Sequence, residues 1–334
     1  MHTRIATETL KTGETLQIEC VLAPDAERAE QIKPFLAHKP LNYLGHIEAA
    51  FAGECDDLET RFYIGLGDDG QMVGNIMTTE VNGVGLFGHV HTRQDQRRKG
   101  ICNAIMRHQM EDFRQRGGHV LLLGTGYESP PYWIYHSFGF RQVEGGAPGF
   151  MRYTSGDYAD FVQRSFAPAA YRPVKAGWKH WPLVALLASL PGSAYMRCPL
   201  LHVWGISLLE GPYCEFMADW GRRSGIPAAV LESETGAVVA FAAAIPDARW
   251  DYTIQWLDFF AHPNVGPEEL VTLLHALPLP SGKTQCYADP RDAAKLAALE
   301  EAGFRREAVL PGQFQEEDAW RDVWLYSRQA SEVS

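Results

Sequence analysis

One run in the sequence combines residue types that could bind a phosphate: Val90-His91-Thr92-Arg93-Gln94-Asp95-Gln96-Arg97-Arg98-Lys99-Gly100-Ile101-Cys102. It reads as a strand end, a basic loop with a glycine, and the first turn of an amphipathic helix. Backbone N–H groups at a helix N-terminus lack partners within the helix, and the helix dipole favours an anion there. Gly100 lets a ligand approach the backbone, and Arg97, Arg98 and Lys99 would add charge-assisted hydrogen bonds. Three cations at a helix N-terminus are unfavourable by themselves, so a bound anion would explain them. A solvated basic turn is the bland alternative. Gly282-Lys283-Thr284 looks like the end of a P-loop, but Leu277 stands where the first glycine is required and no helix obviously follows.

The elements that position this loop follow from periodicity. Strands are expected at 16–22, 61–65, 71–79 and 84–92, the last three separated by the turn signals Gly67-Asp68-Asp69-Gly70 and Asn82-Gly83. After Thr92 the period changes to 3.6, with Ile101, Ile105, Met106, Met110 and Phe113 on one helical face, and Gly117-Gly118 ends the helix. Residues 119–124 read as a buried strand, 131–137 as a short helix closed by Gly139, and 140–143 and 150–153 as two further strands.

The second half echoes the first. A strand-then-helix pattern begins near Arg172, followed by strands at 228–232, 237–245 and 253–261, a helix at 268–276, a strand at 284–288 and a helix at 292–302. That last helix ends in Gly303-Phe304, as the earlier one ends in Gly139-Phe140. The fold class is therefore α/β, and duplication of one α/β unit is the economical reading, although two unrelated α/β domains would look similar. The polar segment Ser155-Gly156-Asp157 marks a boundary, giving domains 1–155 and 171–334 joined by a linker at 156–170.

Composition removes other classes. The 334 residues carry 30 Lys and Arg against 41 Asp and Glu, a formal charge of −11, so the surface as a whole repels nucleic acid and anionic lipid. The apolar stretch 181–190 is too short to span a bilayer. The polar N-terminus shows no secretory signal, and a cytoplasmic location is expected. Six widely spaced cysteines fit reduced thiols. No His, Cys or carboxylate cluster has metal-ligand spacing, no serine sits in a nucleophile elbow, and no metal is expected.

The run Arg97-x-x-Gly100-x-Cys102, after a strand ending Val90-x-Thr92, resembles the acyl-CoA pyrophosphate loop of the GNAT superfamily of N-acetyltransferases. Tyr135-x-x-x-Gly139-Phe140 is similar to that family's second motif, and the resemblance covers about residues 16–153. It implies a tandem arrangement of two GNAT-like domains, each a twisted mixed sheet flanked by helices, the second degenerate. The cosubstrate would be acetyl-CoA or another acyl-CoA, and the partner a small-molecule amine. Backbone at Val90 and Thr92 would polarise the thioester, and Arg97, Arg98, Lys99, Gly100, Ile101 and Cys102 would hold the pyrophosphate. Cys102 departs from the family's usual Gly or Ala.

Tyr135 matches the tyrosine that protonates the departing thiolate, or is a helix residue packed beside Phe138. His89, His91 and Glu128 are candidate bases. The two histidines lie two apart on a strand and should share a face, or they are satisfied structural residues. The second copy offers Ala261-His262-Pro263 and then Glu268-Glu269, without a basic loop, and Leu299 replaces the tyrosine. It reads as a scaffold or substrate-shaping domain. The acceptor site would lie about residues 42–59, where the acidic run Glu54-Cys55-Asp56-Asp57-Leu58-Glu59 could attract a cationic amine or form a solvated turn. Alternatives are a noncatalytic acyl-CoA-binding or regulatory module, and other acyl-thioester chemistry such as decarboxylation. Acyl chain length and oligomeric state are not encoded in these motifs.

Overall fold

The computed structural model describes residues 1–222 and 226–330. The chain divides into two units. The first comprises Met1–Tyr158 together with Gly177–Leu183 and Tyr213–Ala218, and the second takes the remainder.

The first unit runs β1 (His2–Thr9), β2 (Thr15–Leu22), α1 (Ala26–Leu36), α2 (Leu41–Ala52), β3 (Glu59–Leu66), β4 (Met72–Val81), β5 (Val84–Thr92), α3 (Ile101–Gln115), β6 (Val120–Gly124), α4 (Pro130–Ser137), β7 (Arg141–Gln142) and β8 (Phe150–Thr154). Its eight strands form one sheet ordered β1-β2-β3-β4-β5-β6-β8-β7, in which β5 and β6 are parallel and the other neighbours antiparallel. The tight β4–β5 turn uses left-handed backbone at Asn82 (φ 49°) and Gly83 (φ 73°), as the Asn-Gly signal predicts.

Each sheet face buries its own core. On one face the apolar stripe of α3, including Ile101, Ile105, Met110 and Phe113, packs against Ile18, Tyr63 and other strand residues. On the opposite face Ile32 and Leu36 of α1 and Ile47 of α2 pack against Phe62, Ile64 and Met77. α3 lies so close to the sheet that a Cβ on Gly74 would come within 2.8 Å of Ile101 and Ile105. At its far end Arg116 donates to Glu80 (2.7 and 3.1 Å), Asp112 (2.8 Å) and the Tyr63 hydroxyl (3.1 Å), which fastens the helix C-terminus to the sheet. Neighbouring carboxylates outweigh the burial of Arg116 and hold its charge well above the ordinary guanidinium range.

The chain continues through α5 (Tyr158–Ser165), β9 (Tyr171–Lys175), α6 (Trp181–Ala188), β10 (Met196–Cys198), β11 (Val203–Trp204), α7 (Gly211–Arg222), β12 (Ala228–Ser233), β13 (Val238–Pro246), β14 (Ile254–Ala261), α8 (Pro267–His275), β15 (Gly282–Ala288), α9 (Ala293–Glu301), β16 (Arg305–Glu316) and β17 (Ala319–Ala330). The second sheet is ordered β16-β17-β15-β14-β13-β12-β9, with β14 and β15 parallel and its other neighbours antiparallel. Starting from β2 in the first sheet and β9 in the second, the two share one strand order and one position for the parallel pair. Two mixed sheets with flanking helices, built on the same plan, are what the echo in the sequence predicts. Gly282-Lys283-Thr284 opens β15 and is no phosphate loop.

The described cysteines are free thiols. Among the described residues no helix is long and apolar enough to cross a membrane, and no group of three His, Cys, Asp or Glu side chains is placed to hold a metal.

Candidate active site

The site begins where a ladder goes out of step. β4 and β5 pair regularly from Val81↔Val84 to Met77↔Gly88, but the next pair is Asn75↔His91, so three steps along β5 are set against two along β4. This is a β-bulge. Within it His89 adopts left-handed backbone (φ 50°), and the Asn75 side-chain amide donates to the His89 carbonyl at 3.0 Å. On its other edge β5 pairs with β6 only from Val84 to Leu86. Beyond Leu86 the two parallel strands part, and the stretch carrying Val90 and Thr92 has no strand partner on that side among the described residues.

The loop beyond the splayed strand is set for an anion. Gln94–Gln96 makes one 3-10 turn, Arg98 takes left-handed backbone (φ 67°), and Gly100 (φ 93°) is the N-cap of α3. No side chain caps that helix and no acidic residue lies in its first turn, so its leading N–H groups are open. Arg97 and Arg98 are exposed. Arg97 Nε donates to the Thr92 carbonyl (3.2 Å), which folds its side chain back toward the strand end. Lys99 is committed elsewhere: its ammonium lies 2.6 Å from Glu14 in the turn between β1 and β2. Arg93 is likewise paired with Asp95 at 2.7 Å. Burial pushes the Cys102 thiol up to about 11, so it stays protonated and unreactive at neutral pH. A cavity of about 270 Å³ also borders this loop, but Glu14, Asp68 and Asp69 in its wall disfavour a phosphate there.

Tyr135 lies on α4 with its ring edge-on to Phe87 at 5.5 Å, beside the place where β5 and β6 separate. It is 8% exposed and also packs toward Phe140. Glu128 is exposed on the loop before α4, and its carbonyl accepts from the Trp133 indole (3.2 Å). Among the described residues no contact brings its carboxylate to the histidines.

His89 and His91 both turn toward the α1–α2 segment, so they share a face despite the bulge. His91 lies 5.1 Å from the Phe35 ring and 4.2 Å from that of His38, while His89 is edge-on to Tyr43 at 5.0 Å. Behind them His46 is fully buried against Trp178 and Trp181, with Nε2 3.3 Å from the Thr60 hydroxyl and Nδ1 unpartnered. Burial pushes His46 down to about 3. Burial, with Lys39 and His38 nearby, pushes His89 down to about 3 as well. His91 is lowered by burial and then by His38, Lys39 and Arg97. The charges acting on these three rings are thus all basic. The acidic run at 54–59 supplies none of them, and Glu59 is instead paired with Arg61 at 2.7 Å.

Sequence reasoning missed His38, Lys39 and Asn75, and reached Tyr43 and His46 only as unnamed members of the expected acceptor segment 42–59. A helix-start signal was present, since Asp25 accepts from the Arg28 N–H at 3.0 Å as an N-cap. Pro34 inside α1 obscured the periodicity that follows.

The corresponding place in the second unit is built differently. β13 and β14 pair in step from Ala240↔Ala261 to Pro246↔Gln255, with no bulge. After β14, His262 stacks on Phe166 at 4.8 Å and Asn264 donates to the Phe166 carbonyl (2.9 Å), which fills the turn. Glu268 and Glu269 occupy the first turn of α8, and Leu299 is fully buried.

A bulged strand splayed from its parallel neighbour thus runs into a helix whose leading amides are open. Residues 28–140, within the first unit, match the family model described as "Acetyltransferase (GNAT) family". Similar solved structures include a GNAT superfamily phosphinothricin acetyltransferase from Sinorhizobium meliloti in complex with AcCoA (15% identity, 48% of this chain and 89% of that chain, TM-score 0.39). Another is a ribosomal-protein-alanine N-acetyltransferase from Brucella melitensis (20% identity, 47% and 99%, TM-score 0.37). A third is an N-acetyltransferase from Staphylococcus aureus Mu50 (13% identity, 48% and 99%, TM-score 0.39). No curated protein matches the sequence.

Proposed function

We propose that the first unit, residues 1–155, transfers an acetyl or other short acyl group from CoA to the amine of a small molecule, and that residues 171–334 form a scaffold or substrate-shaping domain without a cosubstrate of its own. The observation that carries this reading is the bulged, half-unpaired β5 leading into the open N-terminus of α3. The family match over 28–140 supports it.

In this reading the pantetheine of acyl-CoA lies along the free edge of β5. Backbone around Val90 and Thr92 stabilises negative charge as it develops on the thioester oxygen. The pyrophosphate rests on the leading amides of α3 and the adjoining loop, with Arg97 and Arg98 as its cations. A neutral amine attacks the thioester carbon to give a tetrahedral intermediate with a cationic nitrogen; on collapse the carbon–sulfur bond breaks, the thiolate takes a proton from Tyr135, and the surplus proton of the nitrogen restores the Tyr135 hydroxyl. The attacking amine must first lose a proton. His91 is the better acceptor of the two strand histidines, because His89, at about 3, is poorly matched to an amine at neutral pH.

Isothermal titration with acetyl-CoA tests the reading, paired with an Arg97→Ala, Arg98→Ala variant and with Tyr135→Phe. The intact protein is expected to bind, and the double variant to lose roughly tenfold or more in affinity. Tyr135→Phe should retain affinity and lose about 10²–10⁴-fold in turnover. Failure of the intact protein to bind acetyl-CoA overturns the assignment. Binding without turnover of any amine leaves an acyl-CoA-binding module instead.

A further inference from the structure

Lys39 lies in the short connection between α1 and α2, half-buried, with its backbone N–H donating to the Leu36 carbonyl at 2.9 Å. Among the described residues its ammonium has no ion-pair or hydrogen-bond partner, although most of the cations around the β5 loop do, Lys99 with Glu14 and Arg93 with Asp95 among them. It is close enough to act on the charge of both His89 and His91. His38, next to it in sequence, stacks on His91 at 4.2 Å. Beside the bulge, Asn75 is 1% exposed and its Oδ1 has no hydrogen-bond partner, while its Nδ2 is spent on the His89 carbonyl. A chain of formal charge −11 has thus placed a cluster of basic groups and one unsatisfied buried acceptor around the point where an amine would meet the thioester.

Partly desolvated charge is unfavourable unless it is paired, and here no carboxylate of the protein pairs it. We propose that Lys39, assisted by His38, forms an anion subsite beside the bulge, and that the acceptor is an amino acid, an amine that brings its own carboxylate. This inference rests on the acyl-transfer reading above. The carboxylate is held by the Lys39 ammonium while the amino group lies toward the bulge. A simple alkyl amine, cationic before it is deprotonated, meets only basic groups at this entrance and is disfavoured. Bound carboxylate also offsets the positive field on His91, so the substrate class that fits the subsite is the one that improves the proposed base.

The experiment compares amino acids with their primary amides, which keep the amine and lose the charge, by following CoA thiol release. Acids are expected to exceed their amides roughly tenfold or more in kcat/KM. Lys39→Gln should erase that preference through KM, and Lys39→Arg should keep most of it. Equal use of acids and amides, or a Lys39→Gln variant with the preference intact, overturns the subsite. A second measurement does not depend on turnover: the histidine side-chain NMR signals are followed while the intact chain is titrated with N-acetylglycine. The His38 and His91 signals are expected to move, and to stay still in Lys39→Gln. A silent titration in the intact protein overturns the subsite. Movement without turnover of any amine retains the subsite and overturns the acyl-transfer reading.

Discussion

His46 shows what a single buried ring does to stability. Its folded value, about 3, lies below the roughly 6.5 of an exposed histidine. Above pH 6.5 the ring is neutral folded or unfolded, and its environment carries no pH dependence. As pH falls below that value the unfolded chain takes up a proton that the folded chain does not, so stability declines continuously toward pH 3, at a limiting slope of about 1.4 kcal/mol per pH unit. Urea midpoints measured between pH 7 and pH 4 should show this decline, and His46→Gln should remove its contribution while destabilising the protein at pH 7. The same sign applies to His91, the proposed base. Its lowered value means that the ring is already neutral at pH 7, so kcat/KM should rise with pH below 6.5 and then respond to ionisation of the acceptor amine. His89 and His91 were legible in the sequence as two positions of β5, and the structure turns both toward the α1–α2 segment although a bulge interrupts the strand period there. His38, Lys39 and His46 were not, because they reach the strand from segments distant in sequence, and no local period encodes that meeting.

α3 is the element on which the proposed cosubstrate site depends, and it is held at both ends. At its start, Gly100→Ala places a Cβ on left-handed backbone (φ 93°) with no steric obstacle around it. The cost is therefore conformational, about 1–2 kcal/mol, and acetyl-CoA affinity should fall as the leading amides turn away from the anion. At its end, Arg116→Met leaves Glu80, 4% exposed, without its counter-charge. A loss of about 3 kcal/mol is expected in chemical denaturation, with Glu80→Gln in the same background recovering part of it. This helix was legible to within a residue, since five apolar positions define its stripe and a glycine stands at each end. β5 was read at 84–92, as observed. Its bulge was not, because an extra residue in a ladder leaves no mark until the partner strand is known. The β16–β17 hairpin escaped for another reason: its strands alternate little, many of their residues being exposed or half-exposed.

At the scale of the molecule, two sheets of one plan differ in what surrounds the first strand of the parallel pair. Acetyl-CoA should therefore titrate to one equivalent per chain, and a second equivalent of similar affinity would contradict the assignment of residues 171–334. The second unit also spends charge on its own interior. Lys295, 1% exposed, lies 2.7 Å from Asp258 and donates to the carbonyls of Arg197 (3.1 Å) and Phe259 (2.8 Å). Lys295→Met should destabilise that unit by about 3–5 kcal/mol, measured by calorimetry, because Asp258 is left charged and buried. The shared plan of the two sheets was visible in the repeated order of strands and helices, and the acidic residues after β14 stand where the first half carries its basic loop. The bulge is one residue in extent. Deleting one residue between Gly88 and His91 would bring β5 back into step with β4, as β14 is with β13. In that strand a frame-preserving deletion of one codon is therefore enough to close the bulge at the edge proposed to hold the cosubstrate.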